Sequence, residues 1–226
     1  MGRLLLVRHG QASFGAADYD CLSELGHRQC VRLGQYLRER GARFEAVVTG
    51  TLKRHVQSWH GMAEGLGLPR DAWQDALPWP GLNEYDSEAV IACVHPHKLQ
   101  KPETPEMVRH HFRLLRDGLR AWMAGEAQPV GMPSYADFVA GIQGALDHVR
   151  TNHEGDVLMV SSGGPISTAV GLVLQTPPET TIELNLRIRN SSVTEFAFTP
   201  KRHVLVTYNT LPHLDTEEHK AWETYT

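Results

Sequence analysis

The stretch Leu4-Leu5-Leu6-Val7-Arg8-His9-Gly10 decides how the chain folds. Consecutive apolar residues that end at a glycine are typical of a short strand buried in the middle of a parallel sheet. The strand ends on a cation and an imidazole, Arg8 and His9, and Gly10 allows a sharp turn and the close approach of a ligand. Ligands of open α/β sheets bind at the carboxyl ends of strands. The stretch therefore predicts the first strand of such a sheet and part of its binding site.

Strands and helices alternate along the rest of the chain. A polar, Gly/Ala-rich loop is predicted over 11–22. Apolar spacing then predicts helices that follow the N-cap Ser23 to about 40 and span about 52–66, 106–124, 135–149 and 165–174. Further strands are predicted over about 44–48, 156–160, 183–188, 193–198 and 203–208. This alternation favours a single three-layer α/β domain, with a mainly parallel central sheet and helices on both faces.

Prolines are dense between residues 68 and 105, which predicts an ordered but irregular excursion from the domain. We expect a small cap insertion over about residues 75–135. The aromatic side chains of Trp73, Trp79 and Tyr85 flank this excursion. Two interpretations stay open for them, an apolar lid over a pocket and ordinary packing against the domain.

Composition limits the classes of function. The chain has 226 residues and a formal net charge of -4, so the whole molecule has no positive field to hold nucleic acid or an anionic membrane. The apolar run at the N-terminus is too short for a signal peptide or a membrane span. Three cysteines (Cys21, Cys30 and Cys93) without CxxC spacing indicate free thiols in a reducing compartment. We expect a cytoplasmic protein.

Arg8 and His9 together have the chemistry that phosphoryl transfer needs. A neutral imidazole is a nucleophile toward phosphorus when one ring nitrogen is free and the other is held by a hydrogen bond. The guanidinium of Arg8 can bind phosphate oxygens with a bidentate fork. For the tripeptide alone, a surface loop with incidental basic residues is an equally open interpretation.

Five segments, in order along the chain, resemble the histidine phosphatase superfamily, which includes phosphoglycerate mutases and acid phosphatases. The first is Leu5 to Gln11, with Arg8-His9-Gly10 at its centre. The others are Leu22 to Gln29, Thr49 to Gln57, Leu82 to Tyr85 and Asn209 to Leu214. One such segment would be weak evidence, but five in order at plausible spacing are strong evidence.

The resemblance implies a mechanism. His9 would attack phosphorus, and Arg8 and Arg54 would neutralise the charge on the phosphoryl oxygens. Glu84 would protonate the leaving oxygen and then activate water, a role that requires a raised carboxyl pKa. The neighbouring carboxylates Glu88, Asp86 and Asp75 remain alternatives to Glu84, and Ser13 is a further candidate donor to phosphate.

The partner implied by the resemblance is a small phosphorylated substrate or inorganic phosphate. No metal and no cofactor is expected, because the arginines supply the electrostatic stabilisation. His95-Pro-His97 and His110-His111 are the closest histidine pairs, and neither has cysteine or carboxylate partners at ligand spacing.

The chain departs from the family at Ser162, where members usually carry a second histidine in a Ser-His-Gly turn. The glycines and the helix-opening proline remain in Ser161-Ser162-Gly163-Gly164-Pro165, so we expect the turn to be intact and the backbone at Gly163 to help bind an anion. A hydroxyl replaces the hydrogen bond of the missing histidine but not its charge.

Two functions follow for a chain with Ser162. One is a phosphatase, weakened by the loss of a cationic donor, and the other is a phosphate-binding protein with impaired catalysis. A mutase is disfavoured because nothing specifically resembles its substrate-enclosing segments. A serine hydrolase with Ser162 as nucleophile and His203 or His213 as base lacks the glycine of a nucleophile elbow at Val160. From the sequence alone, Ser162→His should raise turnover if the turn is geometrically intact.

Overall fold

The computed structural model describes residues 1–13, 20–100 and 103–225. Part of the predicted loop (14–19) and two residues of the predicted cap (101 and 102) lie outside the described residues. Within the described ranges, no helix combines the length and the apolarity needed to cross a membrane.

A six-stranded sheet forms the middle layer. Its strands, in chain order, are β1 (Gly2–Arg8), β2 (Ala46–Thr49), β3 (Leu77–Pro78), β4 (Val157–Ser161), β5 (Val193–Thr199) and β6 (Arg202–Thr210). Their spatial order is β3-β2-β4-β1-β5-β6. The first four of these neighbours pair in parallel, whereas β5 and β6 add antiparallel strands beside β1. The sheet is therefore mainly parallel, as the alternation of elements predicted.

Helices cover both faces of the sheet. They are α1 (Glu24–Glu39), α2 (Lys53–Leu66), α3 (Ser87–Ala92), α4 (Pro105–Met123), α5 (Tyr135–Asn152), α6 (Gly163–Leu174) and α7 (Pro178–Leu186). Successive residues of a strand point to opposite faces. Leu5 and Val7 of β1 accordingly pack in one core cluster with α1 and α2, while Leu4 and Leu6 pack in the other with α3 to α7.

Short-range signals set most of the element boundaries. Ser23 is the N-cap of α1, where its hydroxyl accepts from the backbone N–H of Gly26, as the sequence predicts. The prediction of a strand over 183–188 is wrong, because those residues mostly belong to α7. Pro178 occupies the first helical position, where a backbone N–H would have no partner within the helix, so proline is favoured there. The sequence prediction followed the alternating apolar pattern and missed this signal.

The proline-rich excursion is more regular than the sequence predicts. It contains 3₁₀ turns at Arg70–Asp75 and Pro80–Leu82, the helix α3, and the edge strand β3. Val48 and Thr49 of β2 pair with Leu77 and Pro78, so this segment extends the sheet itself. The assignment of residues 75–135 as a cap stays a prediction.

Candidate active site

The carboxyl ends of β1, β2 and β4 bring three turns to one edge of the sheet. Arg8 is in register with Ser161, and the backbone N–H of His9 donates to the carbonyl of Ser161 over 2.9 Å. Beside them, the N–H of Gly50 donates to the carbonyl of Val160 over 3.0 Å. Gly10 is required here because a Cβ atom would overlap the carbonyl oxygen of Gly26, where α1 begins.

His9 is buried and held with one ring nitrogen available. Its Nδ1 lies 2.7 Å from the carbonyl oxygen of Gly10, which can only accept, so Nδ1 carries the proton and donates. Burial lowers the pKa of His9 well below its usual value, with Arg8, His55 and Arg54 adding repulsion against a second proton. The ring is therefore neutral at pH 7, and Nε2 has a lone pair for attack.

Two arginines lie beside this imidazole, and each is oriented by protein acceptors. Arg8 donates from Nη1 to the carbonyls of Ile188 and Tyr225, over 2.6 and 3.1 Å. Arg54, in the first turn of α2, is buried and makes a 2.6 Å ion pair with Asp20. Both guanidinium groups act electrostatically on His9 and on Glu84, so the predicted cations share one region.

Glu84 reaches the same edge from the excursion. Its carboxylate lies at the first turn of α6, where Oε1 and Oε2 accept from the N–H of Gly164 over 3.1 and 3.2 Å. Burial raises the pKa of Glu84, and this effect exceeds the lowering caused by Gly164, Arg54 and Arg8. A raised pKa is what a carboxyl group needs to donate a proton near neutral pH.

The alternative carboxylates are placed differently. Asp86 is the N-cap of α3 and accepts from the backbone of Glu88 and Ala89, and its side chain is exposed. Glu88 and Asp75 are exposed as well. Geometry therefore favours Glu84 among the four candidates.

The remaining predicted phosphate ligands lie at turns. Ser162 is the N-cap of α6 and Gly163 is its first residue, so the turn after β4 is a helix N-terminus as expected. Ser13 follows the β1 turn, and its backbone N–H donates to Cys21 over 2.8 Å. The phosphate-binding roles of all three residues stay predictions.

Residues that the sequence did not single out complete the site. The carbonyl of His9 accepts from the backbone N–H of Ser191 over 3.1 Å and from the side chain of Asn190 over 3.4 Å. His55 follows Arg54 directly, is 0% exposed, and places its ring centroid 5.8 Å from that of His9. In the sequence, the signal for His55 is its position directly after Arg54. Its contact with His9 could not be predicted, because that contact depends on how α2 packs against β4.

The serine hydrolase alternative loses its predicted bases. His213 contacts Ser191, and the ring of His203 packs against Phe196 and Phe198. The imidazole beside Ser162 is that of His55, with Nε2 2.7 Å from Oγ. Its Nδ1 has no hydrogen-bond partner in the described part of the chain, so the third group that orients a catalytic base is missing there.

The aromatic residues of the excursion do not form one lid. Trp73 packs with α1 and α2 on one face of the sheet, whereas Trp79 and Tyr85 pack on the other. Ordinary packing, the alternative interpretation, describes Trp73 and Trp79. Tyr85 differs because it lies next to Glu84 and packs against Trp122 and Phe138.

Histidines outside the site also approach one another. The ring of His95 lies 5.8 Å from that of His97 and 6.3 Å from that of His110. Within residues 1–13, 20–100 and 103–225, no group of three or more His, Cys, Asp or Glu side chains has an arrangement that could hold a metal ion.

Comparison with known proteins gives the family. The profile of the histidine phosphatase superfamily (branch 1) matches residues 4–211. A 2,3-bisphosphoglycerate-dependent phosphoglycerate mutase of Chelativorans is 35% identical over 74 residues, which are 30% of this chain and 36% of the mutase. The match with this curated relative thus spans about a third of its length.

Solved structures share the fold over nearly the whole chain. Phosphoserine phosphatase from Entamoeba histolytica, in complex with 3-phosphoglyceric acid, has a TM-score of 0.65 at 20% identity and covers 95% of this chain and 100% of its own. A mycobacterial glucosyl-3-phosphoglycerate phosphatase, in complex with inorganic phosphate, has a TM-score of 0.65 at 21% identity, with 93% and 98% covered. Since the family profile extends from β1 through the turns that carry His9, Arg54, Glu84 and Ser162, the chain belongs to the histidine phosphatase superfamily, branch 1.

Proposed function

We propose that the protein hydrolyses phosphomonoesters through a phosphohistidine on Nε2 of His9. The observation that carries this proposal is the tautomer of His9. Its Nδ1–H donates to the carbonyl of Gly10, which leaves Nε2 as an unprotonated nucleophile beside Arg8 and Arg54. A general base is not needed to activate such a ring.

The reaction has two steps. In the first, the Nε2–P bond forms as the P–O ester bond breaks, and Glu84 gives its proton to the leaving oxygen. In the second, water attacks phosphorus, Glu84 takes a proton from that water, and the Nε2–P bond breaks to release inorganic phosphate. Arg8 and Arg54 stabilise the charge on the phosphoryl oxygens in both steps.

The substrate is a small phosphomonoester. The solved relatives, whose names include phosphoserine phosphatase and glucosyl-3-phosphoglycerate phosphatase, support this class. A cavity of about 290 Å³ adjoins Glu84 and has room for a leaving group. Its walls come from the excursion, from the segment before α5 and from α5 itself, among them Tyr85, Asp86, Met132 and Phe138. We place this cavity under a cap formed by about residues 75–135.

A second candidate function is favoured by Ser162. The neutral hydroxyl stands where the family usually has a histidine, so the pocket has fewer cations to stabilise the transferring group. A protein that binds a phosphorylated metabolite or partner without turning it over would need the arginines but not Glu84. The raised pKa of Glu84 favours the enzyme, because it suits a proton donor.

Hydrolysis of an aryl phosphate between about pH 5 and 8 tests the proposal. His9→Ala should abolish turnover and the formation of an acid-labile phosphoprotein, whereas replacement of the exposed His97 by alanine should change neither. Turnover that persists in His9→Ala would refute the phosphohistidine. A wild-type protein that binds vanadate but does not hydrolyse the ester would establish the binding function instead.

A further inference from the structure

A buried histidine–serine pair adjoins the proposed nucleophile. Nε2 of His55 lies 2.7 Å from Oγ of Ser162, and both side chains are 0% exposed. His55 lies in the first turn of α2, whereas Ser162 directly follows β4 and is the N-cap of α6. The two-step reaction proposed above assigns no role to His55.

The surroundings of His55 determine which ring nitrogen carries the proton. Nδ1 faces Gly50 so closely that a Cβ atom on that residue would overlap it. Within the described residues Nδ1 has no hydrogen-bond partner. Either tautomer leaves Nδ1 without a partner, but a proton there would add an atom to the crowded contact with Gly50, whereas a lone pair would not. The proton belongs on Nε2, from which it is donated to Oγ of Ser162.

Burial and the neighbouring Arg54 lower the pKa of His55 to about 3, so the ring has a single proton at neutral pH. Since Nε2–H donates to Ser162, the serine oxygen accepts and its own hydroxyl proton must point elsewhere. That hydroxyl makes no capping bond to the described N–H groups of α6, although Ser162 is the N-cap. Among the described residues, Oγ has no hydrogen-bond partner other than His55, so the hydroxyl proton is available to an external acceptor.

The register of the sheet indicates where that acceptor lies. Arg8 of β1 is paired with Ser161 of β4, so the next residues, His9 and Ser162, leave neighbouring parallel strands side by side. Parallel strands are about 4.8 Å apart. A phosphoryl group on Nε2 of His9 would sit over this edge of the sheet, within reach of a hydroxyl donor.

We propose that His55 is a positioning residue, which holds Ser162 with its hydroxyl proton directed at the phosphoryl group transferred to His9. The pair provides a neutral, oriented donor at the place where the family usually has a histidine. This inference rests on the proposed function, because it concerns the same phosphoryl pocket. It also explains why a buried imidazole occupies the position after Arg54.

A double-mutant cycle tests the inference with an aryl phosphate as the substrate. Ser162→Ala should lower kcat about 10²-fold, the usual cost of one donor to a transferring group. His55→Leu removes the orienting donor and should lower kcat with little change in KM. If His55 acts through Ser162, the double variant should match Ser162→Ala within about twofold, because the second change has nothing left to disturb.

Two further variants separate positioning from simple structural support. His55→Gln keeps an N–H donor near the position of Nε2 and should recover most of the activity lost in His55→Leu. His213 provides a matched control, since it is also 0% exposed and its Nε2 lies 2.9 Å from a serine hydroxyl, that of Ser191. His213→Leu should lower the melting temperature, and any effect on kcat should be additive with that of Ser162→Ala, because His213 contacts Ser191 and not Ser162. Additive losses in the cycle, or a His55→Leu variant that loses stability without losing kcat, would overturn the inference.

The test remains decisive when the proposed function fails. In a wild-type protein without turnover, the same cycle is measured on the dissociation constant of orthovanadate, which mimics the transferring phosphoryl group. Coupled losses of vanadate affinity at His55 and Ser162 would support the pair as an anion donor in a non-catalytic pocket. Independent losses would refute it, whatever the activity of the protein.

Discussion

Ser162→His would restore the family pattern in one step, but we expect this single substitution to lower both the stability and the turnover of the protein. Oγ of Ser162 already touches the ring of His55 at 2.7 Å, and neither side chain is exposed. The substitution puts a whole imidazole where one oxygen now fits. Overpacking of this kind costs about 1–3 kcal/mol. For a chain of this size that lowers the melting temperature by roughly 2–4 °C per kcal/mol.

Turnover should fall as well, because the new ring can only enter by displacing His55 or the turn that precedes α6. The sequence alone predicts a gain from Ser162→His, and the packing reverses the sign of that expectation. A compensating change is available in His55→Ala, which removes one ring where the other is added. The double variant should regain stability to within about 1.5 kcal/mol, as volume-conserving exchanges do. Its kcat should equal or exceed that of the wild type, because the new imidazole can donate as a cation.

Thermal unfolding and aryl phosphate kinetics of four proteins check this reasoning: the wild type, both single variants and the double variant. His55→Ala alone should lose stability, since it leaves a cavity between α2 and β4. The decisive quantity is the coupling free energy of unfolding. The double variant should be more stable, by more than about 1 kcal/mol, than the sum of the two single changes predicts. A single Ser162→His variant with unchanged melting temperature and higher turnover would refute the packing argument.

Three more predictions concern Glu84, Gly164 and the buried His213. Glu84→Gln should lower kcat about 10²–10⁴-fold for alkyl phosphates and less for aryl phosphates, because the leaving oxygen of an aryl phosphate needs less protonation. Activity of the wild type should fall as the pH rises through the raised pKa of Glu84, and this fall should be absent from the variant. Gly164→Ala should displace Glu84, because a Cβ atom would overlap Oε1; kinetics should show a loss of kcat that the matched Gly144→Ala, with only an ordinary contact to Trp79, does not. Burial lowers the pKa of His213 to about 3, so between pH 6.5 and that value the unfolded chain binds a proton that the folded chain does not. The free energy of unfolding should therefore fall on acidification. Urea unfolding at about pH 5 and at about pH 6 gives the change in this free energy per pH unit, which should be smaller by about 1.4 kcal/mol in His213→Leu than in the wild type.

Residue types that act locally carry much of the information about this fold. The apolar run before Arg8 predicts β1, Ser23 predicts the start of α1, and the alternation of elements predicts a layered sheet; all three are confirmed. Each of these signals depends on neighbours within about one or two turns of helix, so they can be recognised without the tertiary structure. The strand predicted over 183–188 failed because a period of two over six residues is a weak signal beside a proline that starts a helix.

By itself, the sequence determined the family, the layered architecture and the chemical character of the site, because the motif residues follow strands whose carboxyl ends must meet at one edge. Only the tertiary structure decided how those residues are tuned. The tautomer of His9 follows from a turn geometry, and the raised pKa of Glu84 follows from its burial at the start of α6. The partner of Ser162 is His55, a residue 107 positions away along the chain. Such contacts depend on how α2 packs against β4, and no local pattern of residues encodes a distance between elements so far apart in sequence.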